Sequence, residues 1–402
     1  MALSRSARVN FLIGNGHFLS HFYQLCLPPL FLIWQRTFNI SFAEVGLAVA
    51  LMAGTTAVVQ TPVGFLVDRY GARRFLVGGA LLMSLSIAAM SAAASFWQIV
   101  LLGMLSGLGN SVIHPCDYAI LAGSVEQERI GKSFSLHTFA GNLGFAAGPP
   151  VMALLAVAIG WRAGLLLVGL VGVPVVAAIL LQSAILTDEA ANPPPLEAAT
   201  PDRRRLLFSR TMLLFFGYYA LGSMASAGVQ AWLITVLHAV KNMDLAIASV
   251  ALTGFMVGTT AGVLVGGWLA DTWRQHLQGF AVWLTLAGAA LVLAVALGTM
   301  PDATIVALMF VAGLALGSSR TPRDVMLKEA SPPGEVGKVF GFVSAGLPLG
   351  SALTPVPFGM LIDRHHPQLV LILVAVLLAV SLLCLTSARA SARAGLVAVP
   401  AE

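Results

Sequence analysis

The sequence predicts an all-α, polytopic membrane protein, and three observations carry that prediction. Hydrophobic residues make up 58% of the 402-residue chain and charged residues only 10%, where a soluble domain carries roughly 25% charged residues. The mean hydropathy is correspondingly high, at +0.89. Uncharged apolar runs recur along the chain, each about 20 residues and so long enough to cross a ~30 Å hydrocarbon core as a helix. Finally, the 40 glycines and 20 prolines would weaken soluble helices. In membrane helices they are tolerated, and small residues let backbones approach closely.

Apolar runs and their breakers give twelve spans. The first, about 11–34, follows the segment MALSRSARVNFLIGNGHFLS. Two arginines before an apolar stretch imitate a signal peptide. Asn15, His17 and His21 interrupt that stretch, however, and no A-x-A site follows, so the segment reads as the first helix. Spans two to six cover about 43–67, 74–94, 97–121, 133–159 and 164–186. Then comes TDEAANPPPLEAATPDRRRLLFSR, residues 187–210, rich in Pro and Ala with an Arg run. It reads as a central loop between an N-terminal six-helix bundle, 1–186, and a C-terminal one, 211–402. Spans seven to twelve cover about 211–239, 244–270, 280–299, 303–325, 338–362 and 367–388.

An even number of spans puts both termini on one side of the membrane. With the N-terminus inside, the inner segments hold 18 of the 22 Lys and Arg residues, leaving Arg36, Arg162, Lys241 and Arg364 outside. The positive-inside rule therefore makes both termini and the central loop cytoplasmic, in a membrane of the bacterial inner type. The net charge of +5 sits in those short loops and does not point to nucleic acid. Cys26, Cys116 and Cys384 all fall in spans without a CxxC pair, and read as small core residues.

The two halves repeat. GFLVDRYGARR (64–74) parallels GGWLADTWRQH (266–276), setting Asp68 on Asp271. GLGNSVIHPCDY (107–118) parallels GLALGSSRTPRDV (313–325), setting Pro115 on Pro322 and Asp117 on Asp324. Two homologous six-helix halves around a midplane site are the plan of many secondary transporters.

GFLVDRYGARR closely resembles G-x-L-a-D-r-x-G-r-[KR], the signature between the second and third helices of the major facilitator superfamily. The resemblance covers nearly the whole chain, with a degraded second copy of the motif around Asp271. It implies that Gly64, Asp68, Arg69, Gly71 and Arg73 latch the two halves on the cytoplasmic side. An acid near a helix N-terminus with arginines beside it makes charge-assisted bonds that can form in one state and break in another. GNSVIHPCDYAILAG, taken with HTFAGNLGFAAGP, resembles the fosmidomycin-resistance-like branch. That resemblance implies proton-coupled export of drugs and other small, often anionic compounds. Gly144-x-x-x-Gly148-Pro149 partly resembles an antiporter signature, but Ser135 stands where the full signature has its upstream Gly. The same spacing serves any close helix packing.

A proton-coupled carrier needs a group that titrates near physiological pH, and His does so without help. The spans hold His17, His21, His114, His137 and His238; the acids are Asp117, Asp324 and Glu44. Ionisable groups at membrane depth are functional-site candidates. His17 and His21 share a helical face, as do His114 and Asp117 with Asn110 above them. At ~1.5 Å of rise per residue, the four histidines 17, 21, 114 and 137 and Asp117 are expected to meet in the inner half of the N-terminal bundle. Each also has a plain reading. His17 and His21 can be helix–helix glue, His114 can repair the kink at Pro115, Asp117 can belong to the latch, and His137 and His238 lie near span ends. In the C-terminal half, SSRTPRD supplies Arg320, Arg323 and Asp324. Arg320 suits a clamp on a carboxylate, phosphonate or phosphate, or it snorkels to the cytoplasm. Tyr218, Tyr219, Gln230 and Trp232 are further candidates for a cavity wall.

The sequence thus leads to a monomeric, proton-coupled exporter of a small organic, anionic molecule, working by alternating access. A proton symporter importing an organic acid is the second reading, and a non-transporting sensor or scaffold is a third of a different class. No metal-ligand spacing, nucleotide motif or catalytic constellation is present, so no metal, cofactor or enzymatic activity is expected. The expected partners are substrate, protons and the lipid bilayer.

Overall fold

A computed structural model describes residues 4–126, 130–187, 207–331 and 336–397. Most of the expected central loop, residues 188–206, lies outside the described residues. The chain divides into two compact units, 1–196 with 244–253 and 197–243 with 254–402.

The first unit starts with α1 (Arg5–Leu25) and α2 (Phe31–Phe38). The single first span expected over 11–34 is therefore two helices. Pro28 and Pro29 lack the N–H groups that would continue α1, and they turn the chain through a 3-10 segment, Pro28–Leu30. Next come α3 (Phe42–Tyr70) and α4 (Ala72–Met90). Glu44 closes a capping box at the start of α3. Its carboxylate accepts from the Ser41 N–H at 2.8 Å while Ser41 Oγ accepts from the Glu44 N–H at 3.1 Å. That acid is a helix cap. Gly71, at φ 89°, joins α3 to α4 with no other residue between them, a conformation that a side chain would strain.

The expected fourth span is also broken, into α5 (Phe96–Ser111) and α6 (Ile113–Ser124). The cause is Pro115, whose ring crowds the carbonyl four residues back, that of Ser111, and which offers no N–H to it. The unit closes with α7 (Ile130–Ala158) and α8 (Trp161–Leu181). Tyr23 ties three helices together, its hydroxyl lying 3.2 Å from both Ser84 Oγ on α4 and the Val168 carbonyl on α8.

The second unit holds α9 (Arg210–Lys241), most of α10 (Leu245–Thr272), α11 (Leu277–Leu297) and α12 (Asp302–Ser318). It continues with α13 (Arg320–Glu329), α14 (Val336–Ser344), α15 (Gly346–Leu353), α16 (Pro355–Asp363) and α17 (Gln368–Val397). The span expected over 303–325 breaks at Ser319, three residues before Pro322, the same offset as Val112 before Pro115. The span expected over 338–362 is three short helices. Pro348 lies in the first turn of α15 and Pro355 begins α16, positions where a missing N–H costs no helical bond.

Small residues set the helix spacing in both units. In the first, a Cβ on Gly144 would meet the Phe18 carbonyl of α1, and one on Gly148 would lie 3.0 Å from the Phe22 carbonyl. In the second, Gly346 and Gly350 bring α15 equally close to Phe216 and Ala220 of α9. Among the described residues, eleven helical segments are long and apolar enough to cross a membrane. The expectation was twelve. The missing one is α1, whose apolar content is diluted by Asn10, Asn15, His17 and His21 although its core-facing side is buried.

Candidate functional site

The histidines expected to converge do so on three helices of the first unit. Helix α1 presents His17 and His21 one turn apart, α6 presents His114 and Asp117, and α7 presents His137. The break at Val112 precedes Pro115, and the first two turns of α6 carry His114 and Asp117. The His17 and His137 rings stack, with centroids 3.6 Å apart and planes 3° from parallel. His21 lies 4.3 Å and His114 5.0 Å from His17, centroid to centroid. Phe145 covers His21 from α7 at 4.0 Å.

Two hydrogen bonds fix this stack. His17 Nδ1 lies 2.7 Å from the backbone carbonyl of His137. A carbonyl only accepts, so Nδ1 carries the hydrogen, and in the neutral ring Nε2 holds the lone pair. His137 Nε2 lies 2.9 Å from Asp117 Oδ2, both side chains being buried. Asp117 is therefore a member of the histidine cluster, where the sequence left it divided between that role and the latch. Among the described residues, several buried polar atoms of the cluster have no hydrogen-bond partner: His17 Nε2, His21 Nδ1, His114 Nδ1, His137 Nδ1 and Asp117 Oδ1. Buried polar groups are nearly always paired, so a concentration of unpaired ones in one place makes it a candidate site.

Gly141 makes the cluster possible, and the sequence reading passed over it. It stands one turn beyond His137 on the same face of α7. A Cβ there would lie 2.5 Å from His17 Cε1 and 2.7 Å from His21 Nδ1. The available signal was its spacing of four from His137, which places it against whatever His137 touches. Gly144, Gly148 and the buried Pro149 continue this face and hold α1 against α7. Alongside runs a groove of about 790 Å³ between α1 and α7, with Asn10, Asn15 and Ser133 among its polar lining. Asn10 donates to Ser133 Oγ at 3.0 Å across it.

The residues expected to form a latch fall on α3, α4 and α10. Gly64 sits within α3 and Gly71 at the α3–α4 joint; the side chain of Asp68 lies outside the described residues. Arg69 and Arg73 are exposed, and Arg73 donates to the Ser183 carbonyl at 3.1 Å. Asp271 is exposed near the end of α10. His238 bonds the Met243 carbonyl at 2.9 Å just beyond α9, a helix-end role.

In the second unit, Arg320 is half-buried at the first position of α13, just past the break at Ser319. One turn on, Arg323 Nε donates to Asp324 Oδ1 at 2.8 Å, and the Tyr219 hydroxyl donates to the same oxygen. The Arg323 guanidinium also lies 4.0 Å over the Tyr219 ring. Arg323 and Asp324 thus satisfy each other, which leaves Arg320 the better candidate for a ligand. Trp232 is buried and donates to the Pro355 carbonyl at 3.1 Å, a packing role.

Apolar spans that bury titratable side chains on converging helices are the architecture of a polytopic membrane protein with a candidate transport site. The chain belongs to the Major Facilitator Superfamily, whose model matches residues 13–252 and again 211–400. It is similar to the fosmidomycin resistance protein of Escherichia coli K12, at 24% identity over 89% of this chain and 87% of that one. It is similar to the membrane sensor protein UhpC of the same organism, at 24% identity over 84% of both chains. It also resembles the probable L-galactonate transporter of that organism, at 25% identity over 59% of this chain, spanning only 55% of that relative's length. A bacterial homologue of the human lysosomal transporter Spinster shares the fold, with a TM-score of 0.82, 14% identity, and coverage of 97% and 98% of the two chains.

Proposed function

We propose that this protein is a proton-coupled secondary transporter that exports a small organic anion by alternating access. The observation that carries the reading is the buried cluster of His17, His21, His114, His137 and Asp117 on helices of a Major Facilitator Superfamily chain. Ionisable side chains in spans are costly and mark ion and substrate paths. The groups that face one another there are His17 and His21 from α1, His114 and Asp117 from α6, and His137 from α7. Arg320 supplies the positive charge that binds the substrate's anionic group. Similarity to a fosmidomycin resistance protein supports export.

The finer topology belongs to the same reading. Helix α1 is a span despite its polar residues, giving twelve, with bundles over 1–186 and 211–402, a cytoplasmic loop at 187–210, and both termini cytoplasmic in a bacterial inner membrane. Asp68, Arg69 and Arg73, with Asp271, act as the conformational latch. The protein works as a monomer.

Two other readings have particular support. Similarity to a probable L-galactonate transporter favours an organic acid as substrate, and a proton symporter importing one is the second reading. Similarity to UhpC over most of the chain favours a non-transporting sensor. Reconstitution into liposomes with an imposed pH gradient, screened with organic anions and antibiotics, separates all three. Export coupled to protons gives substrate movement opposite to proton flow; symport gives movement along it. Flux that ignores collapse of the gradient refutes the coupling, and saturable binding without flux favours the sensor.

A further inference from the structure

We propose that His17, His21 and His114 form a binding site for one divalent transition-metal ion of the imidazole-preferring class, such as Zn²⁺, Co²⁺ or Ni²⁺. The spacing of these residues along the chain does not announce such a site; the fold assembles it. His17 and His21 are four apart on α1, the spacing that puts two imidazoles on one helical face. His114 reaches the same place from α6. One ring nitrogen of each lies within 4.8 Å of those of the other two. Metal–nitrogen bonds of about 2.0–2.1 Å in a tetrahedral site set nitrogens roughly 3.3 Å apart. His114, which meets His17 and His137 edge-on and is not pinned by a stack on α7, turns toward the α1 pair to close most of the remaining distance.

The chemistry of the nitrogens fits. Each of the three residues has a buried ring nitrogen with no hydrogen-bond partner among the described residues, namely His17 Nε2, His21 Nδ1 and His114 Nδ1. For His17 the lone pair is assigned, because its Nδ1–H is spent on the His137 carbonyl at 2.7 Å. Metal-bound histidines are habitually oriented in this way, the second nitrogen donating to a carbonyl or carboxylate. His137 is the supporting residue. It stacks on His17 at 3.6 Å and is held by Asp117 at 2.9 Å, which brings a carboxylate close to the site to offset the charge of a cation. Three neutral imidazoles and no first-hand oxygen ligand select zinc, cobalt, nickel or copper over magnesium and calcium. His21 and His114 are half-buried residues, so the site is not fully sealed from its surroundings. Three protein ligands leave one position open for water or an anion.

The inference is independent of the direction and coupling of transport. Metal and protons compete for the same lone pairs, so the cluster loads one or the other.

The test uses the full chain in detergent, purified by a tag without histidines, stripped with chelator and titrated with Co²⁺. One Co²⁺ per chain with the intense visible absorption of a four-coordinate site is expected, displaced by Zn²⁺ but not by Mg²⁺ or Ca²⁺. His21→Ala and His114→Ala abolish that band. His137→Gln, which keeps the backbone carbonyl that orients His17, keeps one site per chain and its absorption band. A wild-type protein that binds no stoichiometric Co²⁺, or shows only the weak spectrum of six-coordinate cobalt, overturns the proposal. So does a wild-type spectrum that survives when His21→Ala and His114→Ala are combined in one chain. The wild-type titration decides the matter even where a variant fails to fold. Flux in liposomes under a pH gradient with chelator present reads the transport function separately, so either idea can fail alone.

Discussion

Replacing Gly141 with alanine tests whether the histidine stack depends on a missing side chain. The new Cβ would stand 2.5 Å from His17 Cε1, 2.7 Å from His21 Nδ1 and 2.8 Å from His17 Nδ1. These atoms belong to rings that cannot simply swing aside. His17 is stacked on His137 and bonded to its carbonyl, and His21 is covered by Phe145. Overpacking of this kind costs about 1–3 kcal/mol, while Gly→Ala inside a helix gains about 1 kcal/mol. The gain can be measured separately. Gly54, within α3 of the same unit, has no atom within 4 Å of its would-be Cβ. Gly54→Ala therefore reports propensity alone. The difference between the two variants isolates the clash, at about 1–3 kcal/mol. At roughly 2–4 °C per kcal/mol for a unit of this size, Gly141→Ala should melt about 2–12 °C below Gly54→Ala. The assay is thermal denaturation in detergent, paired with gradient-driven flux in liposomes, which should fall only in Gly141→Ala. Two variants that melt within a degree of each other and transport alike would refute the reasoning.

Asp117→Asn should preserve the fold but abolish gradient-driven flux. Asp117→Ala should in addition lose about 1–3 kcal/mol, because His137 Nε2 is stranded without its partner; wild-type flux in the Asn variant would remove Asp117 from the coupling cluster. Arg320→Gln should raise the KM for an anionic substrate about 10–100-fold, the equivalent of one charge-assisted hydrogen bond, with thermal stability unchanged; an unaltered KM would end its role as the clamp. Tyr23→Phe removes a hydroxyl shared between Ser84 and Val168 and should cost about 0.5–1.5 kcal/mol, read as a lowered Tm with flux intact, and an unchanged Tm would show those contacts to be idle.

The helical, polytopic character of the chain was legible because hydropathy is a sum over many residues and survives local exceptions. What escaped was local. Runs of apolar residues look continuous through Val112 and Ser319, but Pro115 and Pro322 break the helices three residues earlier. The same runs hid the turn at Pro28 and Pro29. Conversely, α1 is well packed yet too polar to pass as a span by hydropathy. For the candidate site, periodicity placed His17 with His21 and His114 with Asp117, since residues three or four apart share a helical face. It could not say which faces meet, because that is decided by the packing of α1 on α7 through Gly144 and Gly148. Hence Gly141 was overlooked, the meeting of the histidines was expected but not as a set of metal ligands, and Glu44 looked like a membrane acid when it is a cap.

The acceptor that orients His17 belongs to the backbone of residue 137, not to its side chain. This separates two constraints on the chain's evolution. Substitution at position 137 can discard the imidazole and its bond to Asp117, yet the carbonyl stays, and His17 goes on presenting the same nitrogen. The selectivity of the cluster is open to change one side chain at a time, while the aim of its central ring is inherited with the fold.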